Sequence, residues 1–174
     1  MANWRSNFLR DIKGRVLEVG AGAGPNLDRY SGDVNLIATE FDEATLKEAR
    51  PKANAHIRLA CADIEHLGFA NETFDCVAAT LVFCSVEHPI VGLQEVKRVL
   101  KPNGKLYLIE HVRSDRRWLG RLQDRLAHRW FNWTEGCNLN RDTEANIRAA
   151  GFEIEKLRVR WLGVVKTIVV SKAD

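Results

Sequence analysis

No uninterrupted apolar run in this sequence approaches the ~20 residues that a membrane-spanning helix needs. Its start, Met1-Ala2-Asn3-Trp4-Arg5, has no apolar stretch of the kind a secretory signal carries, so residence in the cytoplasm is expected. Cysteine is scarce: Cys61, Cys76, Cys84 and Cys137 form no CxxC pair and have no His at metal-ligand spacing. Neither a zinc site nor a disulfide framework is therefore expected, and no metal is assigned. An excess of one charge is also missing. The 26 basic and 23 acidic residues leave +3, too little for a chain built to neutralise many phosphates, so no nucleic-acid partner is expected. Internal repeats, low-complexity tracts and linkers are absent, and no Ser-His-Asp arrangement offers a hydrolytic nucleophile. At 174 residues and 45% hydrophobic content, residues 1–174 are expected to form a single domain. Nothing in the sequence specifies an oligomeric state.

What is present is alternation. Strand-like runs at Arg15–Val19, Val34–Thr39, His56–Cys61, Phe74–Thr80 and Lys105–Glu110 are separated by helix-like stretches at Leu27–Tyr30, Glu43–Arg50 and Val91–Leu100. Pro89 stands where a helix can begin, and Lys101-Pro102-Asn103-Gly104 reads as a turn. This is the pattern of βαβ units, in which helices cover a parallel sheet on both faces. The last part differs: Phe152–Trp161 and Val164–Val170 are separated only by Leu162-Gly163 and must pair as an antiparallel hairpin. The apolar phase shifts near Glu155 and Lys156, predicting a bulge there. The nearly all-apolar second strand is expected inside the sheet. The predicted fold class is α/β, a Rossmann-like, mostly parallel seven-stranded sheet with an antiparallel C-terminal hairpin. An NAD-binding domain would normally keep its sixth strand parallel.

The first strand runs into Glu18-Val19-Gly20-Ala21-Gly22-Ala23-Gly24-Pro25-Asn26, a turn whose missing Cβ atoms let a ligand approach the backbone. A dinucleotide fingerprint beginning at Gly20 would put its third glycine at position 25, which is Pro25. Proline also removes an amide that a pyrophosphate would want. S-adenosylmethionine has no phosphate and presents a zwitterionic methionine end, so GxGxG suits it better. Glu40 closes the second strand in Ala38-Thr39-Glu40-Phe41-Asp42, where a carboxylate can accept from a ribose diol. After the third strand, Asp63 can accept from an adenine amino group while Ile64 packs on the ring. Two plainer readings stand beside these: Glu40 as a solvated strand-end acid and Asp63 as a helix cap.

Four blocks carry a family resemblance: Val16-Leu17-Glu18-Val19-Gly20-Ala21-Gly22-Ala23-Gly24, Ala62-Asp63, Phe74-Asp75-Cys76-Val77, and Val96 through Leu106 with its Lys101-Pro102-Asn103-Gly104. Over residues 15 to 174 the chain resembles the class I S-adenosylmethionine-dependent methyltransferases, in the branch of the ubiquinone and menaquinone biosynthesis enzymes. More narrowly, Leu81-Val82-Phe83-Cys84-Ser85-Val86, Glu110-His111-Val112-Arg113 and Glu135-Gly136-Cys137-Asn138-Leu139-Asn140-Arg141 are similar to blocks of methyltransferase-like thiol S-methyltransferases and of bacterial phospholipid N-methyltransferases. The resemblance implies S-adenosylmethionine as cofactor. Glu18, Gly20, Ala21, Gly22, Gly24 and Asn26 would lie at its methionine end and Glu40 and Phe41 at the ribose. Asp63 and Ile64 would hold the adenine, and the Leu81–Cys84 stretch would pass near the sulfonium. The hydrophobic N-terminal membrane segment of the animal thiol enzymes is missing here. With about a dozen residues before the first strand, the family's N-terminal lid is expected to be short.

A sulfonium methyl is already activated, so the protein must chiefly place a small-molecule acceptor in line with it in a dry pocket. His111, at the carboxyl edge of the fifth strand, is the candidate catalytic residue: it can deprotonate a thiol or phenol, or only position the acceptor. Cys84 and Cys137 invite a soft-metalloid reading that lacks a third cysteine. Residues 113–133 are basic and aromatic and read as an amphipathic helix or helix pair, with Trp118, Leu122, Leu126 and Trp130 on one face and arginines over much of the rest. That segment suits a lid, plain core, or peripheral contact with anionic lipid. A thiol is the expected acceptor if it is a lid, and a quinone or phospholipid if it touches a bilayer. An NAD-dependent oxidoreductase and a non-catalytic cofactor-binding module are the competing functions.

Overall fold

The computed structural model describes residues 2–134 and 136–173; Glu135, in one of the blocks above, lies outside them. Its strands are β1 (Arg15–Val19), β2 (Asn35–Glu40), β3 (Ile57–Cys61), β4 (Phe74–Thr80), β5 (Leu100–His111), β6 (Phe152–Arg160) and β7 (Val165–Lys172). The helices are α1 (Ala2–Arg10), α2 (Glu43–Ala49), α3 (Pro89–Val99), α4 (Arg117–Trp133) and α5 (Thr143–Ala149).

All seven strands join one sheet in the order β3-β2-β1-β4-β5-β7-β6. The first five are parallel, and β7 runs antiparallel between β5 and β6. This is the predicted fold class. The insertion of β7 follows from its burial: six consecutive residues from Val165 to Val170 are buried, as an interior strand requires. The phase shift in β6 is a register shift between Ile154 and Lys156, the expected bulge.

Alternation along the strands sorts the core into two layers. Val16 and Leu36 pack with Leu9 of α1 and Ala49 of α2 on one face. Leu17, Val19 and Ile37 pack with Leu93, Val96 and Val99 of α3 and Ile147 of α5 on the other.

Two local expectations are corrected. Residues 27–30 are turns rather than helix: Asn26, next to Pro25, spends its side chain on Glu18 and Thr80, and a short segment so anchored has no room to propagate a helix. The Lys101–Gly104 turn is drawn into β5, although the pairing with β4 jumps from Phe74–Leu100 to Cys76–Lys105, so those four residues bulge from the ladder.

The segment 113–133 yields a single helix, α4, and the plain-core reading of its apolar stripe is overturned: Trp118 is 60% exposed, Leu122 43%, Leu126 41% and Trp133 76%. The helix docks instead through Gly120 and Gln123, and Trp130, expected on the stripe, turns inward. Among the described residues no helix is long and apolar enough to cross a membrane.

Candidate functional site

The carboxyl ends of β1 to β4 open onto a cleft of about 590 Å³ lined by Gly20, Glu40, Phe41, Asp63, Ile64 and Leu81 from the predicted set. The rest of the lining includes Val82, from the Leu81–Cys84 stretch expected there, and Glu65, Ser85, Val86 and His88, which are outside the predicted set. Glu18, Ala21, Gly22, Gly24, Asn26 and Cys84 are not part of this lining, although Gly22 faces open space.

The glycine turn is fixed from within. Ala21 N–H donates to the Thr39 carbonyl at 2.8 Å, Gly24 N–H to the Ala21 carbonyl at 3.0 Å, and Gly22 N–H to Glu40 Oε2 at 2.8 Å. These amides are already committed, Pro25 has none, and no regular helix follows. The turn therefore offers a pyrophosphate fewer free amides than a helix N-terminus would. Gly20 and Gly22 hold φ of 60° and 55°, a region costly for other residues. A Cβ on Gly20 would lie 2.5 Å from Val82 Cγ2, whereas one on Gly22 would meet open space.

Glu40 is more than a solvated strand-end acid: Oε1 accepts from the Phe41 and Asp42 amides at 2.9 and 3.2 Å while Oε2 takes Gly22, which aims the carboxylate at the cleft. Asp63 caps no helix, because the chain after it forms only a turn. Its Oδ1 accepts the Glu65 N–H at 2.9 Å, and the residue lines the cleft beside Ile64.

Behind the turn, Glu18 and Asn26 are 1% and 2% exposed, and Asn26 Nδ2 donates to Glu18 Oε1 at 2.6 Å. Burial, opposed chiefly by that hydrogen bond, pushes the Glu18 carboxyl up to about 7. Glu18 Oε2, Asn26 Oδ1, Arg5 Nε and the Tyr30 hydroxyl are buried without a hydrogen bond of good geometry, and Tyr30 lies close enough to Glu18 for the two to be electrostatically coupled. Two acceptors for an ammonium and a cationic donor for a carboxylate are what a zwitterionic methionine end asks for, so these residues fit the cofactor that the sequence implies.

The far wall of the cleft rests on Glu110. Fully buried at the end of β5, its Oε1 accepts from the Val82 and Phe83 amides at 3.0 Å each and its Oε2 from Cys84 N–H at 3.2 Å. Burial pushes this carboxyl up to about 7, against the pull of the three amides. The clamp holds the chain after Leu81, a leucine with φ of 59°, the kind of backbone strain that concentrates at functional sites.

Cys84 is expected near the sulfonium; it is buried next to the cleft-lining Val82 and Ser85 without lining the cleft itself, and its side chain meets those of His111 and Cys137. The ligand atoms of these three residues all lie within 4.8 Å of one another, with Cys137 Sγ 3.8 Å from His111 Nδ1. The nearness of the two thiols pulls Cys137 below the usual thiol range, helped by His111 and the Trp130 indole, and pushes Cys84 up together with burial. Sequence spacing gave no sign of this set, because its members are 27 and 26 residues apart and meet only through the fold. The usable signal was that they fall in three blocks that resemble the same relatives.

The methyltransferase domain family matches residues 17–108 of the chain. A thiol S-methyltransferase, TMT1B of Rattus norvegicus, is 30% identical over 173 residues, covering 88% of this chain and 67% of that protein. A phosphatidylethanolamine N-methyltransferase of Cereibacter sphaeroides is 33% identical over 119 residues, covering 66% of this chain and 59% of that one. Among solved structures, a putative methyltransferase from Bacillus halodurans superimposes with a TM-score of 0.76 at 17% identity, covering 96% of this chain and 94% of the other; at that identity it speaks for the fold alone.

Proposed function

Since the chain belongs to the S-adenosylmethionine-dependent methyltransferases, we propose that it methylates the sulfur of a small thiol, acting as one domain over its whole length. When bound, S-adenosylmethionine supplies a methyl group on a positively charged sulfur. Of this chain's residues, Glu40 holds the ribose diol, and Asp63 and Ile64 hold the adenine. Glu18, Asn26 and Arg5 receive the methionine zwitterion. Gly20 and Gly22 keep the approach open, and Leu81 closes the wall at the reacting end. His111 is the group assigned to the acceptor, placed to ease loss of the S–H proton, since the thiolate is the nucleophile.

The observation that carries the thiol reading is the pairing of His111 with two buried cysteines beside the cleft, a soft and proton-accepting environment on the acceptor side. The relatives named for thiol methylation point the same way. The four cysteines are all free, in keeping with a reducing compartment such as the cytoplasm.

A second observation concerns where the acceptor is met. The exposed Trp118, Leu122, Leu126 and Trp133 of α4 run beside Arg121, Arg125 and Arg129, an apolar stripe with a basic border that suits peripheral docking on an anionic bilayer. On this reading apolar thiols reach the site from the membrane surface.

The test is release of S-adenosylhomocysteine by purified protein given S-adenosylmethionine and a small alkyl thiol, with and without vesicles containing anionic phospholipid. Turnover with the thiol is expected, rising with vesicles for long-chain thiols. Turnover only with phospholipid or quinone in the vesicles, and none with thiols, would move the acceptor to the lipid itself.

A further inference from the structure

The cluster at the end of β5 is more fully built than proton transfer to one histidine requires. Cys84 is positioned from one side by the Glu110 clamp on its amide. From the other side, Asn138 donates its backbone N–H to the Cys84 carbonyl at 2.7 Å and its side-chain amide to the same oxygen at 3.1 Å, which fixes the loop carrying Cys137. His111 is set by its place in β5, paired with Val165 of β7. Gln123 of α4 then ties three pieces of this region together. Its Oε1 accepts from Ser114 N–H at 2.7 Å, and its Nε2 donates to the Val112 and Leu139 carbonyls at 3.0 and 2.9 Å. Two sulfurs and one imidazole nitrogen are thus held on a rigid frame, 1% and 8% exposed at the cysteines.

A tetrahedral zinc ion takes sulfur at about 2.3 Å and imidazole nitrogen at about 2.0–2.1 Å, which sets donor–donor separations of roughly 3.3–3.8 Å. The Cys137–His111 separation of 3.8 Å and the 4.8 Å limit on the set meet that requirement with small side-chain adjustments. The Trp130 indole N–H is buried without a conventional partner and lies toward Cys137, where a metal-bound thiolate would accept it. Three protein ligands with a fourth position open is the arrangement of catalytic rather than structural zinc. Two thiolates neutralise the divalent ion. A third anionic ligand would leave one negative charge, and Arg141, half-buried and electrostatically coupled to Cys84, Glu110 and Cys137, can offset it.

We propose that Cys84, His111 and Cys137 bind a zinc ion whose open fourth position takes the acceptor's sulfur as a thiolate. This rests on the thiol reading above and deepens it. The S–H proton leaves to solvent as the sulfur enters, because coordination deprotonates a thiol outright; His111 then eases that loss as a ligand of the ion and not as the group that takes the proton. The thiolate's electron pair then forms the new carbon–sulfur bond while the methyl–sulfonium bond breaks, its pair remaining on the cofactor's sulfur. The product is a neutral thioether, a poorer ligand than the thiolate, and it leaves the ion. Cys84 also connects the ion to the cofactor: it lies between Val82 and Ser85, both of which line the cleft.

The experiment uses the full chain, purified under reducing conditions, stripped with chelator and titrated with Co²⁺ in place of Zn²⁺. One equivalent should bind, with thiolate-to-cobalt charge-transfer bands in the near ultraviolet and strong four-coordinate bands in the visible. Cys137→Ser should weaken binding by about 100-fold or more, and an added alkyl thiol, but not the corresponding alcohol, should shift the charge-transfer bands of the unaltered protein. A stripped protein without charge-transfer bands, or one whose Cys84 and Cys137 are isolated as a disulfide under those reducing conditions, overturns the site. If stripped protein methylates thiols as fast as the zinc-loaded form, the metal fails while the thiol reading stands. If cobalt binds through the thiolates but thiol neither perturbs it nor is methylated, the acceptor assignment fails.

Discussion

The two halves of the carboxyl edge are built on different principles. The cofactor half, over β1 to β3, is made by backbone: a turn of positive-φ glycines, amides returned to Thr39 and Glu40, and acids that follow directly on strand ends. The acceptor half, over β5 and α4, is made by side chains: Glu110 clamps three amides, Gln123 ties strand, helix and loop, and three ligand-bearing residues converge from separate segments. A site made of contiguous backbone can be read from a short motif. A site made of converging side chains exists only once the sheet has been assembled.

The sharpest way to break this contrast is Gly22→Arg. A Cβ at Gly22 meets open space, so the added side chain enters the ligand's volume while the fold survives with about 1–2 kcal/mol of backbone strain. Affinity for S-adenosylhomocysteine, measured by calorimetry, should fall more than about 100-fold, a loss of about 3 kcal/mol. The Cys84–His111–Cys137 region should be unaffected. Undiminished affinity in a folded variant would remove the turn from the site.

A second prediction compares two buried carboxylates. Glu18 and Glu110 both have carboxyl groups raised to about 7, first by burial. Each therefore keeps a proton in the native state that the unfolded chain has already released. Their stabilising contribution is complete below about pH 4.5 and is lost as pH rises to about 7, with a ceiling of about 3 kcal/mol per group. In the ligand-free protein Glu18→Gln should flatten the decline between those values and raise stability at pH 8, because a neutral amide avoids the cost of burying the carboxylate while its oxygen can still accept from Asn26. Glu110→Gln should destabilise, since one amide-accepting oxygen becomes an NH₂ group facing backbone N–H donors. Denaturant unfolding across pH measures both, and identical responses would show that the two halves do not differ in this respect.

The smallest expected effect is that of Gln123→Ala, which leaves the Ser114 amide and two carbonyls without their partner and should cost about 1–3 kcal/mol of stability. Cofactor affinity should stay within about twofold, as for distant independent sites, while thiol turnover falls. A parallel loss of cofactor affinity would mean that the two halves are coupled.

What the sequence made legible follows the same division. The strands, the terminal hairpin and the bulge near Glu155 were readable because period-2 burial leaves its pattern in consecutive residues. Gly20, Glu40, Phe41, Asp63, Ile64 and Leu81 were readable as cleft residues because each follows closely on a strand end. The turns at 27–30 were misread as helix because Asn26's attachment to Glu18 and Thr80 is a tertiary contact with no local signature. The apolar stripe of α4 was readable as a pattern, but which way it faced was decided by Gln123 and Trp130. Cys84, His111 and Cys137 were individually visible, yet their meeting depends on β5 lying beside β4 and on the loop after α4 folding back to Cys84.

The insertion of β7 between β5 and β6 bears on synthesis as well as architecture. While the chain is being made, β5 has a neighbour only on its β4 side, and its other edge stays open through the emergence of α4, α5 and β6. Only when Val165–Lys172 has appeared can seven residues of β5, Lys105 to His111, find their second partner. An unpaired, largely apolar edge of that length is an aggregation hazard, so a ribosome that pauses before these last residues would leave this protein at its most vulnerable, with a nearly finished cofactor turn and no completed sheet.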